Sequence, residues 1–201
     1  METIHNSHKI ENKEKLKEYY KNWSTTYDND VRSCEYNGPE TITNILTRNF
    51  NIYGSNILDV GCGTGLLAEY LNKDKYQILI DGIDISNEMI DLASNRNYYN
   101  NLTNVDVFDI TEPQNKKYDF AISAGMFTHN HVGPKAIENI LNYLDVDGVF
   151  LFTVRNSFME KENFQEYIVD LLKRNKISKC STIKDQNYID EEKCSVYTLF
   201  V

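Results

Sequence analysis

The stretch Asp59-Val60-Gly61-Cys62-Gly63-Thr64-Gly65 sets an acid ahead of three glycines at alternate positions, between the apolar run "NILDV" and the helical run "TGLLAEYLNK". A glycine turn between a strand and a helix lets the backbone approach a ligand closely, and the start of the helix offers N–H donors. A polar ligand is expected there. Two further acids, Asp84 in "LIDGID" and Asp109 in "VDVFDI", close later β-type runs. In an open α/β sheet the carboxyl ends of neighbouring strands share one crevice, which gathers Asp59, Asp84 and Asp109 around one ligand. Asp84 stands where a two-strand nucleotide unit carries its ribose-binding carboxylate, able to accept from both hydroxyls. His129 and His131 follow the next β-type run and are candidates to touch a substrate, His129 before His131, against the ordinary reading of solvated loop histidines.

Those residues need elements to hold them, and the chain supplies an alternation of β and helical patterns. "NILDV" and "YQILIDGID" read as strands, and the run between them has Leu66, Leu67, Tyr70 and Leu71 at helical spacing, a βαβ unit. "SNEMIDLASNR" opens on Ser86 as N-cap and carries Met89, Ile90, Leu92 and Ala93 as an apolar stripe. "NVDVFDI", "YDFAISAG" and "GVFLFTVR" continue as strands, with Ile137, Ile140, Leu141 and Leu144 on one face of the helix before the last of them. Strands so uniformly apolar belong in a parallel sheet covered on both faces. After the helical "NFQEYIVDLLKRN", the runs "ISKCSTIKDQNYI" and "CSVYTLFV" are joined by the short polar "DEEK", which predicts an antiparallel C-terminal strand pair finishing the sheet.

The 201 residues suffice for one substantial core, so a single domain is expected. A net charge of -9 disfavours a surface that neutralises phosphates, so nucleic acid is not expected as a partner. The polar start "METIHNSHKIENKEKLK" has no apolar h-region and no run approaches a bilayer span, which predicts no membrane partner. Cys34, Cys62, Cys180 and Cys194 are scattered, without a C-x-x-C pair, and read as free thiols of a cytoplasmic protein.

The nicotinamide fingerprint G-x-G-x-x-G fails here, because its third glycine position is Leu66. The pattern instead resembles motif I of the class I methyltransferases that use S-adenosylmethionine. That resemblance covers roughly Tyr20 to Arg155 and implies a Rossmann-like seven-stranded, mostly parallel sheet with helices on both faces. It also implies a cofactor site made of Asp59, Gly61, Cys62, Gly63 and Leu66 at the turn, Asp84 on the ribose, Ile85 by the adenine, Asp109 and Ile110 at the adenine edge, and Ala124 and Gly125 by the methionine part, with Met89 also in contact with the cofactor. The segments "NWSTTYDNDVRSCEYNGPE" and "SAGMFTHNHVGP" are similar to small methyltransferase-like proteins related to the Williams-Beuren-region methyltransferase. In such enzymes an N-terminal helix covers the cofactor, which implies a lid over residues 1–30 carrying Tyr20, Trp23 and Tyr27, and a methyltransferase domain over residues 31–201. The bland readings stand beside these: an amphipathic helix packed on the core for the three aromatics, a strand-end cap for Asp109, and a small filler for Cys62.

The expected activity is methyl transfer to a small-molecule acceptor by in-line displacement, with a catalytically silent cofactor-binding protein or partner subunit as the alternative. An aminopropyl transferase ranks last, since "SAGMFTHNHVGP" has no acids to bind a polyamine. No metal is expected: related quinone-pathway O-methyltransferases carry acidic ligands where this chain has Met126, Phe127 and Thr128.

Overall fold

A computed structural model describes residues 13–71, 73–110, 117–128 and 132–201. Three helices come first, α1 (Lys13–Trp23), α2 (Tyr27–Ser33) and α3 (Gly38–Asn49). The sheet then begins with β1 (Asn56–Val60), followed by the short helices α4 (Leu66–Leu71) and α5 (Lys73–Tyr76), β2 (Leu79–Asp84), α6 (Asn87–Ser94) and β3 (Asn101–Asn104). A 3₁₀ turn (Val107–Asp109) leads towards β4 (Tyr118–Phe127), α7 (Ala136–Leu141), β5 (Leu144–Arg155), α8 (Asn156–Lys161), α9 (Phe164–Lys173), β6 (Lys179–Ile189) and β7 (Glu192–Phe200).

The seven strands lie in the order β3-β2-β1-β4-β5-β7-β6. β1 pairs in parallel with β2 and β4, β2 with β3, and β4 with β5. β7 runs antiparallel to both β5 and β6, so the tail hairpin closes one edge with a single reversed strand inserted beside β5. The class I methyltransferase architecture expected from motif I is the one observed.

Alternation along the central strands feeds two cores. Ile57 of β1 and Val149 and Leu151 of β5 join α3 and α4 through Ile42, Leu46, Leu66 and Leu67 on one face. Leu58, Val60, Phe150 and Phe152 join α7 and α9 through Ile137, Ile140, Phe164 and Ile168 on the other. Phe127, Phe150, Phe152 and Phe164 are all fully buried, and each such side chain contributes about 2–3 kcal/mol of transfer free energy. The strands near the site are thereby anchored from both sides.

One strand differs from expectation. "NVDVFDI" predicts a strand over residues 104–110, but the pairing with β2 is made by Asn101–Asn104 and the chain then turns. Asp106 caps that turn by accepting from the Phe108 N–H at 2.9 Å, so a side chain takes the donor that a continuing ladder would need.

Candidate functional site

At the carboxyl end of β1 the chain turns through Gly61, Gly63 and Gly65, with φ of +68°, +54° and +92°. Side chains rarely tolerate that left-handed region, which is why the turn is glycine at those positions. The Gly61 and Cys62 N–H groups donate to the carbonyl of Ile83 at 2.8 and 3.0 Å, fixing the turn to the end of β2. The Gly63 N–H donates to Asp84 Oδ2 at 2.8 Å, and the Ser86 N–H to Asp84 Oδ1 at 2.9 Å. Asp84 therefore bridges the glycine turn and the start of α6, where Ser86 caps the helix by accepting from the Met89 N–H. Burial pushes the Asp84 carboxyl above the ordinary carboxylate range, opposed by the backbone donors around it.

Over this frame lies a cavity of about 250 Å³. Its floor is Gly61, Gly63 and Asp84; its walls are Ile85 and Met89 from the β2–α6 junction, Val105 to Phe108 after β3, and Ala124 to Met126 of β4. Tyr20 and Tyr27 close it from the N-terminal helices. Gly125 has φ of +89° and donates its N–H to Thr153 Oγ1 at 3.0 Å, which lets β4 bend at the cavity edge. Burial raises the phenols of Tyr20 and Tyr27 above the ordinary tyrosine range, so at neutral pH both are donors.

Of the residues singled out from sequence, Tyr20, Tyr27, Gly61, Gly63, Asp84, Ile85, Met89, Ala124 and Gly125 are brought together around the cavity. Asp109 is exposed on the 3₁₀ turn and Ile110 is buried in the core behind it; neither lines the cavity. The carboxylate that does is Asp106, with Val107 beside it, because β3 ends six residues earlier than its pattern implies. Trp23 is 5% exposed, packs against Tyr27 with ring centroids 4.7 Å apart and donates from Nε1 to Asp30, so it backs the Tyr27 ring and does not line the cavity. Cys62 and Leu66 are buried beneath the turn. His129 and His131 lie outside the described residues. Among the described residues no group of three His, Cys, Asp or Glu could hold a metal ion, and no helix is long and apolar enough to cross a membrane.

Asp59 is 1% exposed and lies under the turn instead of in the cavity wall, where its Oδ2 accepts from the hydroxyl of Tyr99 at 2.7 Å. Burial raises its carboxyl to about 7, with Tyr99 pulling down and Asp84 pushing up. A second network ties α2 to the turn. Thr64 donates to Asp28, Arg96 pairs with both Asp28 and Glu69, and Arg32 pairs with Glu69 at 2.7 Å. Neither Tyr99 nor Arg96 has a local sequence signal, since both reach the turn from the loop after α6.

Comparison with known proteins agrees with this geometry. The methyltransferase domain family matches residues 35–194. An uncharacterized protein of Methanocaldococcus jannaschii is 30% identical over 191 residues, 92% of this chain and 70% of that protein. The malonyl-[acyl-carrier protein] O-methyltransferase of Bacillus anthracis is 32% identical over 130 residues, 63% of this chain and 46% of that enzyme, so the chain spans about half the length of such relatives. Magnesium protoporphyrin IX methyltransferase from Synechocystis PCC 6803, solved with bound S-adenosylmethionine, superposes with a TM-score of 0.64 at 18% identity, covering 86% of this chain and 82% of that one. The chain belongs to the methyltransferase domain family, and its fold is that of the class I S-adenosylmethionine-dependent methyltransferases.

The residues present fit that cofactor. A Cβ built on Gly63 meets nothing within 4 Å, leaving open space along the turn for the amino-acid part. Asp84 offers a carboxylate for hydroxyl donors, and Ile85, Met89 and Phe108 give apolar surface for a flat base.

Proposed function

We propose that the protein transfers the methyl group of S-adenosylmethionine to a small-molecule acceptor by in-line displacement. The observation that carries this reading is the Gly63–Asp84 hydrogen bond, which sets a glycine turn and a buried carboxylate on the floor of one cavity. In this reading Asp84 accepts from the ribose hydroxyls, Ile85 and Met89 lie along the adenine, and Asp106 with the backbone of Val107 takes the adenine edge assigned from sequence to Asp109 and Ile110. Ala124 and Gly125 border the methionine part, and Asp59 orders its amino end from beneath. The helical segment over residues 1–30 covers the site through Tyr20 and Tyr27, above a domain over residues 31–201.

The cofactor supplies an electrophilic methyl group on a sulfonium, a good leaving group. The protein's contribution is alignment and exclusion of water, and Tyr20, Tyr27, Met126 and Val132 furnish the largely apolar enclosure for it. The acceptor enters beside Met126 and Val132. The cavity's size and the absence of a basic side chain among its described lining residues favour a small acceptor without a phosphate. For an acceptor that loses a proton, His129 is the candidate base, with general-base help of about 10²–10⁴ in rate.

The second reading is a catalytically silent cofactor-binding protein or partner subunit. Incubation with methyl-labelled S-adenosylmethionine and a metabolite extract separates the two. Labelled small molecule together with S-adenosylhomocysteine supports turnover on a small acceptor. Cofactor binding without demethylated product favours the silent reading, and label in the protein or nucleic-acid fraction overturns the acceptor class.

A further inference from the structure

Asp59 of β1 lies in register with Gly82 of β2. Across that pair sits the ring of Tyr99, delivered by the loop after α6. A Cβ built on Gly82 meets Leu102 Cδ2 at 2.8 Å and both Cys62 Sγ and Tyr99 Cε1 at 3.0 Å, and one built on Gly65 meets Tyr99 Cε2 at 3.1 Å. The two glycines thus form a slot that only a side chain entering from elsewhere can fill, and the ring in it brings its hydroxyl to Asp59 Oδ2 at 2.7 Å. The third glycine of the turn serves this slot, whereas Gly61 and Gly63 face the cavity.

We propose that Tyr99 is a positioning residue for methyl-donor binding, acting through Asp59: its hydroxyl fixes the carboxylate's orientation and favours the anionic form that attracts the ammonium of the cofactor's amino-acid end. This rests on the reading of the cavity as the S-adenosylmethionine site. The groups facing Asp59 are Asp84 at the end of β2, the Cys62 thiol in the turn, and Tyr99 itself. Asp84 opposes ionisation of Asp59, and Tyr99 supplies the hydrogen bond that favours it. Arg96, beside Gly65, is committed to Asp28 and Glu69. A neutral donor therefore tunes the acid.

The test is calorimetric binding of S-adenosylhomocysteine between about pH 6 and pH 9 for the wild type, Tyr99→Phe and Asp59→Asn, with urea unfolding over the same range. Phenylalanine keeps the ring in its slot and removes only the hydroxyl. The expected result is a loss of about tenfold in affinity near pH 6.5, the order of one hydrogen bond to a charged group, recovering towards wild type near pH 9 as Asp59 ionises without help. Asp59→Asn should show a loss that does not recover. A pH-independent loss in Tyr99→Phe, or a profile and a stability curve superimposable on wild type, overturns the proposal while leaving the cofactor site intact. A wild type that fails to bind S-adenosylhomocysteine at any pH overturns the cofactor reading and this one with it.

Discussion

The backbone N–H of Gly63 and the Oδ2 atom of Asp84 stand 2.8 Å apart, joined by a hydrogen bond that spans two strand ends. One side chain thus holds the glycine turn in place and lies on the cavity floor. The expected consequence of Asp84→Asn is a loss in affinity for S-adenosylhomocysteine of about tenfold or more, since hydrogen bonds to charged acceptors contribute about 1.5–3 kcal/mol. Calorimetry at neutral pH is the check. An unchanged dissociation constant would place the ribose elsewhere.

Gly63 and Gly54 make a matched pair for separating strain from binding. Both have positive φ, +54° and +74°, and a Cβ on either meets nothing within 4 Å. Only Gly63 lines the cavity. Alanine at either position should cost about 1–2 kcal/mol of stability from the left-handed backbone. Cofactor affinity should fall in Gly63→Ala alone, because its methyl group enters the space beside the turn. Urea unfolding and calorimetry on both variants measure this, and equal binding by the two would remove Gly63 from the site.

The sheet, its strand types and the positions of Gly61, Gly63 and Asp84 were legible because each depends on a local pattern: apolar runs, a glycine turn, an acid at a strand end. Asp106 stands in the cavity wall where Asp109 was expected, because alternation in "VDVFDI" continues past the point where β3 stops pairing. The strand ends where Asp106 caps the 3₁₀ turn, an event decided by a side-chain bond that periodicity does not register. Tyr99 was invisible for another reason. Its role depends on two glycines 17 residues apart in sequence, Gly65 and Gly82, sharing one face, which only the β1–β2 register brings about. The tail was read as a hairpin, and its order beside β5, with β7 inside and β6 at the edge, follows from β7 being the strand buried almost throughout.

The two acids of this turn allow a direct comparison. Asp106→Ala should weaken S-adenosylhomocysteine binding about tenfold through loss of a cavity carboxylate, while Asp109→Ala, on the exposed face of the same turn, should bind as wild type. Thermal unfolding of both variants controls for loss of the cap at Phe108. Equal effects from the two substitutions would return the adenine edge to Asp109.

Asp59 gives a stability prediction with a definite sign. Its folded carboxyl is raised to about 7, so the folded state binds a proton more readily than the unfolded chain. The stabilisation is fully present below about pH 4, the unfolded carboxylate value, and is lost as pH rises through about 7. Asp59→Asn, which cannot ionise, should flatten this part of the curve, so that wild type minus variant stability falls by a few kcal/mol from about pH 4 to pH 8. Urea titrations across that range decide it; parallel curves would show that Asp59 does not titrate on unfolding.

For the proposed N-terminal cover, the contacts of α1 and α2 suggest a boundary to test. Residue 30 falls inside α2, whose Asp28 bonds to Thr64 and Arg96 and whose Val31 is buried, so α2 belongs mechanically to the turn it touches. α1 is held differently, by the packing of Tyr20 and Trp23 on Tyr27, the Trp23–Asp30 hydrogen bond and the exposed Lys21–Glu88 ion pair, which contributes little in water. A movable cover should therefore end near Thr26. Deleting residues 1–25 should leave a folded domain that binds S-adenosylhomocysteine more weakly, having lost Tyr20 from the cavity wall. Deleting residues 1–31 should also lower the unfolding midpoint, because Asp28 and Val31 go with it. In the intact chain, tryptic cleavage after Lys21 should slow when saturating S-adenosylhomocysteine is present, as a closed cover protects its own backbone. Cleavage at the same rate with and without ligand, together with full affinity in the shorter truncation, would make α1 a fixed part of the core.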